Sequence, residues 1–228
     1  MADRTGRNEG ANKDGGVNGM NGMNGMNGME SMDGTIGTGG MDGTKPYRFG
    51  FILGRFQPLH IGHEHMINAA LAACDRVLVL VGSAQLQGTE RNPFDAQFRM
   101  RLLRLVYGDR IEIAPLRDYS HEGDHSHDWG RYLLQAAKGY GEEQGFPALD
   151  LMIAGDDEER GHWFPGEAIA GIDHLVVPRI DIPISATRLR EAIATGDRAY
   201  WEAYTNPVLY GEFEAIREAL MKVEAYRR

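Results

Sequence analysis

From residue 47 onward, short apolar runs alternate with stretches whose apolar residues recur every three or four positions. The runs at 48–53, 77–81, 111–116, 149–154 and 174–177 have strand length and are bounded by turn residues. Five consecutive aliphatics, Val77 to Val81, imply a strand buried on both faces, the mark of a parallel sheet. Between the runs lie helical patterns. The stretch 63–74 places Met66, Ile67, Ala70, Leu71 and Cys74 on one face, 94–106 does the same with Phe98, Leu102, Leu105 and Val106, and 129–143 forms a third helix. The order β-α-β-α-β-α-β predicts an α/β fold with a doubly wound parallel sheet. After the last strand the chain turns helical, with 185–194 running from a serine cap to Gly196 and 208–226 forming a final helix.

The chain has 228 residues, enough for one such domain with an appendage. That appendage is residues 1–46, with residues 47–228 as the folded domain. Gly, Asn and Met dominate it, and Asn-Gly-Met occurs four times in succession between Asn18 and Met29. Too little apolar surface is available there to offset ordering entropy, so a disordered tail is expected. The regular methionines also admit soft-metal binding, a weaker reading than a plain flexible tail.

Charge and cysteine content narrow the function classes. Net charge is −9, of which the tail contributes −2, leaving −7 on the domain. A nucleic-acid polymer is therefore not an expected partner, whereas a small anionic substrate fits if cations gather in one pocket. No segment has the length and apolarity of a membrane span or secretory leader, so no membrane association is expected. Cys74 is the single cysteine, which fits a cytoplasmic location, and packing is its natural role at the end of a helical pattern. A homo-oligomer is compatible with the sequence.

The chemistry concentrates at two turns. Gly54-Arg55-Phe56-Gln57-Pro58-Leu59-His60-Ile61-Gly62-His63 joins the first strand to the first helix. Open α/β sheets bind ligands at such strand-to-helix turns. Gly54 permits a sharp turn, Pro58 stiffens the loop, and Gly62 lets a ligand approach the backbone before a helix N-terminus that favours anions. Taken alone, two histidines in a turn more often satisfy local hydrogen bonds, but Arg55, Pro58 and the flanking elements agree on a phosphate site. The second turn is Ile184-Ser185-Ala186-Thr187-Arg188-Leu189-Arg190, where free amides, two hydroxyls and two arginines form an anion cradle. Arg188 and Arg190 point to different helix faces, so one of them reaches a shared site.

Together, G-R-F-x-P-x-H-x-G-H after the first strand and I-S-x-T-x-x-R after the last resemble the nucleotidylyltransferase superfamily over about residues 48–195. Within it the chain is similar to the archaeal-type nicotinamide-nucleotide adenylyltransferases. The likeness includes Gly82-Ser83-Ala84-Gln85, Asn92-Pro93-Phe94 leading to Arg99, and Pro115-Leu116-Arg117-Asp118-Tyr119 followed by Trp129. Gly155-Asp156-Asp157-Glu158 follows the family pattern more loosely, and the Met-rich tail is no part of it.

The resemblance implies a Rossmann-like fold with C-terminal helices and transfer of AMP from ATP to nicotinamide mononucleotide, giving NAD and pyrophosphate by direct in-line attack. It makes His60, His63 and Arg190 catalytic, with Gly54, Arg55, Phe56, Gly62, Asp157, Ser185, Thr187 and Arg190 binding ATP. A divalent cation, Mg²⁺, would bridge substrate phosphates without a dedicated protein metal site. Arg99 is the candidate for the acceptor's phosphate, Asn92 and Trp129 for the rest of the acceptor, and Trp163 for a second stacking surface. Trp129 reads equally as a core aromatic, and Asp157 equally as a ribose ligand or part of a solvated loop. His121, His125 and His127 among acidic residues suggest a substrate-covering loop more than a metal site. Two alternatives stay open. One is another acceptor, such as nicotinate mononucleotide, phosphopantetheine or a cytidylyl-type substrate; the other is a non-catalytic nucleotide-sensing module.

Overall fold

A computed structural model describes residues 45–156, 160–178 and 183–227. The expected tail falls almost entirely outside them. Five strands form one sheet: β1 (Tyr47–Gly54), β2 (Cys74–Val81), β3 (Glu112–Pro115), β4 (Leu151–Gly155) and β5 (Asp173–Val177). Their spatial order is β3-β2-β1-β4-β5 and every pairing is parallel, for example Phe51 beside Leu78 and Met152.

Strand periodicity sorts side chains into two cores. Phe49, Phe51 and Leu53 of β1, with Leu78 and Leu80 of β2, pack on one face against Trp129, Leu133, Leu134 and Ala137 of α3 (His127–Gln144). Ile52, with Val77, Val79 and Val81, packs on the other. There the partners are α1 (Ile61–Ala73), α2 (Ala96–Tyr107) and the C-terminal helices. Both faces are covered, as the unbroken aliphatic run of β2 requires.

Helix α1 starts two residues earlier than the apolar period suggests. Its N-cap is His60, whose Nδ1 accepts the Gly62 amide at 3.2 Å, a cap type outside the usual Ser, Thr, Asp and Asn set. Cys74 opens β2 rather than closing α1, and burial pushes its thiol up to about 12, so it is a packing residue. Two further short helices, α4 (Gly166–Ile169) and α6 (Arg198–Ala203), have no counterpart in the sequence pattern. Helix α5 (Ala186–Thr195) ends at Gly196, whose φ of 79° suits glycine.

The single helix expected over 208–226 is instead three pieces: a 3-10 segment Pro207–Glu212, α7 (Phe213–Met221) and a 3-10 turn Glu224–Tyr226. Asn206 accepts the Val208 amide and Pro207 supplies no N–H, which fixes a start there. Phe213, Ile216 and Leu220 give α7 its own buried stripe.

The chain leaves β1 toward β2 and β3 and returns to place β4 and β5 on the opposite side. Loops at the carboxyl ends of β1 and β4 therefore part from each other, and the crevice between them is the switch point of an open α/β sheet.

Close helix packing has a testable consequence. A Cβ added at Gly130 of α3 would collide with the Trp163 carbonyl oxygen, whereas nothing lies within 4 Å of one at Gly139 on the same helix. Gly130→Ala is expected to destabilise by about 2 kcal/mol or more. Gly139→Ala should stabilise by up to about 1 kcal/mol. Urea unfolding of both variants checks the opposite signs, and a neutral Gly130→Ala would contradict the described contact.

Candidate active site at the sheet switch point

The turn after β1 is built around the Phe56 ring. Phe56 adopts a φ of 52°, unusual for a side-chain-bearing residue, and is almost wholly buried. Gly54 is glycine because a Cβ there would meet that ring at 2.8 Å. Gln57 fastens the turn to the segment before α2, donating from Nε2 to the Phe94 carbonyl and accepting the Phe94 amide, both at 3.0 Å. The loop is thus rigid before any ligand arrives.

His60 and His63 lie at the first turn of α1 with their rings stacked, centroids 3.8 Å apart. Because the Gly62 amide donates to His60 Nδ1, the neutral His60 ring carries its proton on Nε2 and offers it as a donor. The sequence reading gave Gly62 to ligand approach. What the glycine makes room for here is the folded-back His60 ring, 3.1 Å from where a Cβ would be.

At α5, Ser185 is the N-cap, accepting the Arg188 amide. Arg188 is exposed, while Arg190 turns inward and is buried. Arg190 donates from Nη1 to the Gln57 carbonyl at 2.9 Å, from Nη2 to Thr187 Oγ1 at 3.2 Å, and from Nε to Tyr226 Oη at 2.7 Å. The two distant motifs therefore meet through one guanidinium.

They enclose a cavity of about 460 Å³, whose lining includes His60, His63, Ser185, Thr187 and Arg190 together with Gly155 and Val177 at the ends of β4 and β5. A second cavity, of about 350 Å³, adjoins it and is lined by Ser83, Asp118, His121, His125, Trp129 and Trp163 among others. Arg55, Arg91 and Arg160 line both. Three guanidinium groups at the junction of two lobes make a cationic centre within an acidic chain.

Among the described residues Glu122 pairs with two of these arginines, 3.4 Å from Arg91 and 3.9 Å from Arg55. In the second lobe Asp118 is fixed by Ser83 Oγ at 3.0 Å and Gln85 Nε2 at 2.8 Å. That contact explains why Ser and Gln follow Gly82. Trp129 satisfies both of its sequence readings, being packed in the α3 core and lining the second lobe. Trp163 lies under the His125 ring at 4.5 Å, nearly parallel, with the Arg160 guanidinium 5.2 Å from its centroid. His121 and His125 belong to the loop over this lobe, and among the described residues no group of three metal-ligating side chains converges.

Two acceptor candidates are corrected. Arg99 is fully buried, and its guanidinium donates to the carbonyls of Asp95, Arg55, Gly82 and Ser83 at 2.8–3.3 Å. Burial lowers its pKa to about 10, still far above neutrality, so it is a buried cation solvated by carbonyl dipoles and not a free phosphate ligand. Asn92 is also buried and lines neither lobe; its Nδ2 donates to Glu122 Oε2 at 2.8 Å, holding the carboxylate that faces Arg91. Asp157 lies outside the described residues.

Sequence reasoning missed Arg91, Arg160, Gln57 and Tyr226. Arg91 adjoins Asn92 in the loop already singled out, so a local signal existed. Arg160, which donates to the Leu53 carbonyl at 3.0 Å, sits in an irregular polar stretch with no period to mark it.

A family model described as cytidylyltransferase-like matches residues 51–192, which include both motifs and all five strands' inner portions. The chain belongs to the cytidylyltransferase-like family. Among its relatives, a protein named nicotinamide-nucleotide adenylyltransferase from Aeropyrum pernix is 30% identical over 184 residues, covering 77% of this chain and 97% of that one. A protein of the same name from Thermococcus kodakarensis is 41% identical over 167 residues, 67% of this chain and 75% of that one. In fold, this cytidylyltransferase-like chain is similar to the bifunctional NMN adenylyltransferase/ADP ribose pyrophosphatase of Francisella tularensis, solved with AMP and a Mn ion. The TM-score is 0.60 at 21% identity, over 79% of this chain and 51% of that one.

The reassignment of Arg99 is testable. Arg99→Ala should cost about 3 kcal/mol of stability or more, since the Arg55 and Gly82 carbonyls lose the guanidinium donor and the Ser83 and Asp95 carbonyls keep only the Leu86 and residue-99 amides. Urea denaturation reads this directly; a variant of unchanged stability with a selectively raised acceptor KM would restore the phosphate role.

Proposed function

We propose that this chain is a nicotinamide-nucleotide adenylyltransferase, moving AMP from ATP to nicotinamide mononucleotide with release of pyrophosphate. The observation that carries the reading is the two-lobed crevice, with stacked His60 and His63 and the inward Arg190 in one lobe and two indoles in the other. Relatives bearing that enzyme name support it.

In this reading the first lobe takes ATP and the second takes the acceptor, with the reacting phosphorus at their arginine-lined junction. A phosphate oxygen of the mononucleotide attacks the α-phosphorus, a new P–O bond forms, and the bond to the β-phosphate bridging oxygen breaks. The chain's task is to position the groups and to stabilise charge on the equatorial and leaving oxygens. His60 Nε2–H and His63 donate to the reacting triphosphate, while Arg190 and Arg55 hold its outer phosphates. Arg91 and Arg160, rather than Arg99, neutralise the attacking phosphate. Trp129 or Trp163 receives the cationic nicotinamide ring on an aromatic face.

A divalent cation, proposed as Mg²⁺, would come bound to the ATP phosphates and would supply charge neutralisation to them, with Arg190 and Arg55 holding the same phosphates. The first lobe's arginines, imidazoles and hydroxyls suit phosphate oxygens more than a resident metal, in keeping with a cation carried in by ATP. The catalytic domain is proposed as residues 47–228, acting in the cytoplasm, and this assignment is compatible with a homo-oligomer. Among the described residues no helix is long and apolar enough to cross a membrane.

Mixing the protein with ATP, nicotinamide mononucleotide and Mg²⁺ is expected to release pyrophosphate and form NAD. Release with another acceptor and none with this one would redirect the assignment, and ATP binding without turnover on any acceptor would support a sensing module. His63→Ala should lower kcat on the order of 100-fold while ATP affinity changes little. Unchanged turnover in that variant would remove His63 from the mechanism.

A further inference from the structure

Arg190 is held by a residue far outside the motifs. Its Nε donates to the hydroxyl of Tyr226, and that hydroxyl donates in turn to the Glu90 carbonyl at 2.8 Å. Tyr226 sits in the 3-10 turn Glu224–Tyr226, beyond the residues matched to the family, 51–192. Glu90 precedes Arg91, which lines both lobes and faces Glu122. One phenol oxygen thus bridges the arginine of the second motif and the loop that carries a junction arginine.

Two further contacts from the same C-terminal stretch reach the same lobe. The Tyr204 carbonyl accepts the Ile61 amide at 3.0 Å, and Asn206 Nδ2 donates to Glu64 Oε2 at 2.7 Å, both at the first turn of the helix bearing His60 and His63. Phosphate-binding groups on β1–α1, α5 and the 88–93 loop are all tied to this stretch.

We propose that Tyr226 is a positioning residue for ATP binding, its hydroxyl fixing the Arg190 guanidinium and the Glu90–Arg91 backbone relative to each other. Among the described residues, the Gln57 carbonyl, Thr187 and Tyr226 take three of the five N–H groups of Arg190. The Nε–H bond is the one that fixes the fork from behind, so that the remaining donors face the cavity without having to be ordered by the ligand. The inference rests on reading the first lobe as the triphosphate site.

Tyr226→Phe keeps the ring, which packs against the core, and removes only the bridge. ATP dissociation constants are measured by calorimetry without acceptor, alongside KM for each substrate and kcat. ATP binding is expected to weaken about tenfold and KM for ATP to rise in parallel, with acceptor KM also raised through Arg91, kcat within about twofold and the thermal midpoint nearly unchanged. In an Arg190→Lys background, where no Nε–H donor exists, Tyr226→Phe should change ATP affinity less than about twofold. Unaltered ATP affinity in Tyr226→Phe, or the same tenfold loss in both backgrounds, would overturn the proposal. Because the calorimetric readout needs no turnover, a protein that binds ATP but transfers AMP to no acceptor loses the enzymatic reading alone. A parent chain that binds no ATP loses both.

Discussion

The crevice depends on one buried cation. At the carboxyl ends of adjacent parallel strands, carbonyl groups point into the space where the chain must leave the sheet, and they need donors that strand pairing no longer supplies. Arg99 meets that need at the Arg55 carbonyl after β1 and the Gly82 carbonyl after β2, and its planar fork also reaches the Ser83 and Asp95 carbonyls, which accept backbone amides as well. A guanidinium suits the position because it is weakly hydrated, stays charged at the lowered pKa of about 10 and offers donors in fixed directions. The loops after β1 and β2, each of which contributes to both lobes, are in this way made a single rigid rim.

Rigidity of that rim matters because the chain as a whole is acidic. An anion approaching it gains nothing from net charge and must be attracted by local field, which calls for cations gathered and oriented in advance. Each arginine of the crevice whose contacts are described is held by neutral or oppositely charged groups: Arg190 by a carbonyl and two hydroxyls, Arg160 by the Leu53 carbonyl and the Trp163 face, Arg91 and Arg55 by Glu122. Ordering these side chains during folding removes an entropic cost from binding, which is the sense in which such a site is preorganised.

How much of this was legible in the sequence follows from what each signal measures. Hydrophobic period reports burial, and the five strands with helices α1, α2 and α3 emerged because each has one buried face or two, whereas α4, with no buried residue, did not. The first motif emerged because glycine and proline restrict the turn that carries the histidines, and the second because hydroxyls and arginines gather at a helix start. What stayed hidden was set by partners remote in sequence. A helix start capped by an imidazole, as at His60, does not resemble the usual cap, and the C-terminal stretch broke into three pieces because Asn206 and Pro207 impose a local start that a 3.6-residue period cannot see.

The arginines show most plainly where such reading ends. Arg99 and Arg190 both lie in the first turn and a half of an amphipathic helix, both are buried, and both donate to a carbonyl of the turn after β1. Their difference lies in the other partners. Arg99 donates only to carbonyls, through four of its five N–H groups, and lines neither lobe, whereas Arg190 meets one carbonyl and two hydroxyls on the wall of an open cavity. A cation enclosed by carbonyl dipoles belongs to the scaffold. One braced from behind and open in front can bind an anion. That distinction is a property of the space around the guanidinium, and only the arrangement of β1, α5 and the C-terminal turn defines it.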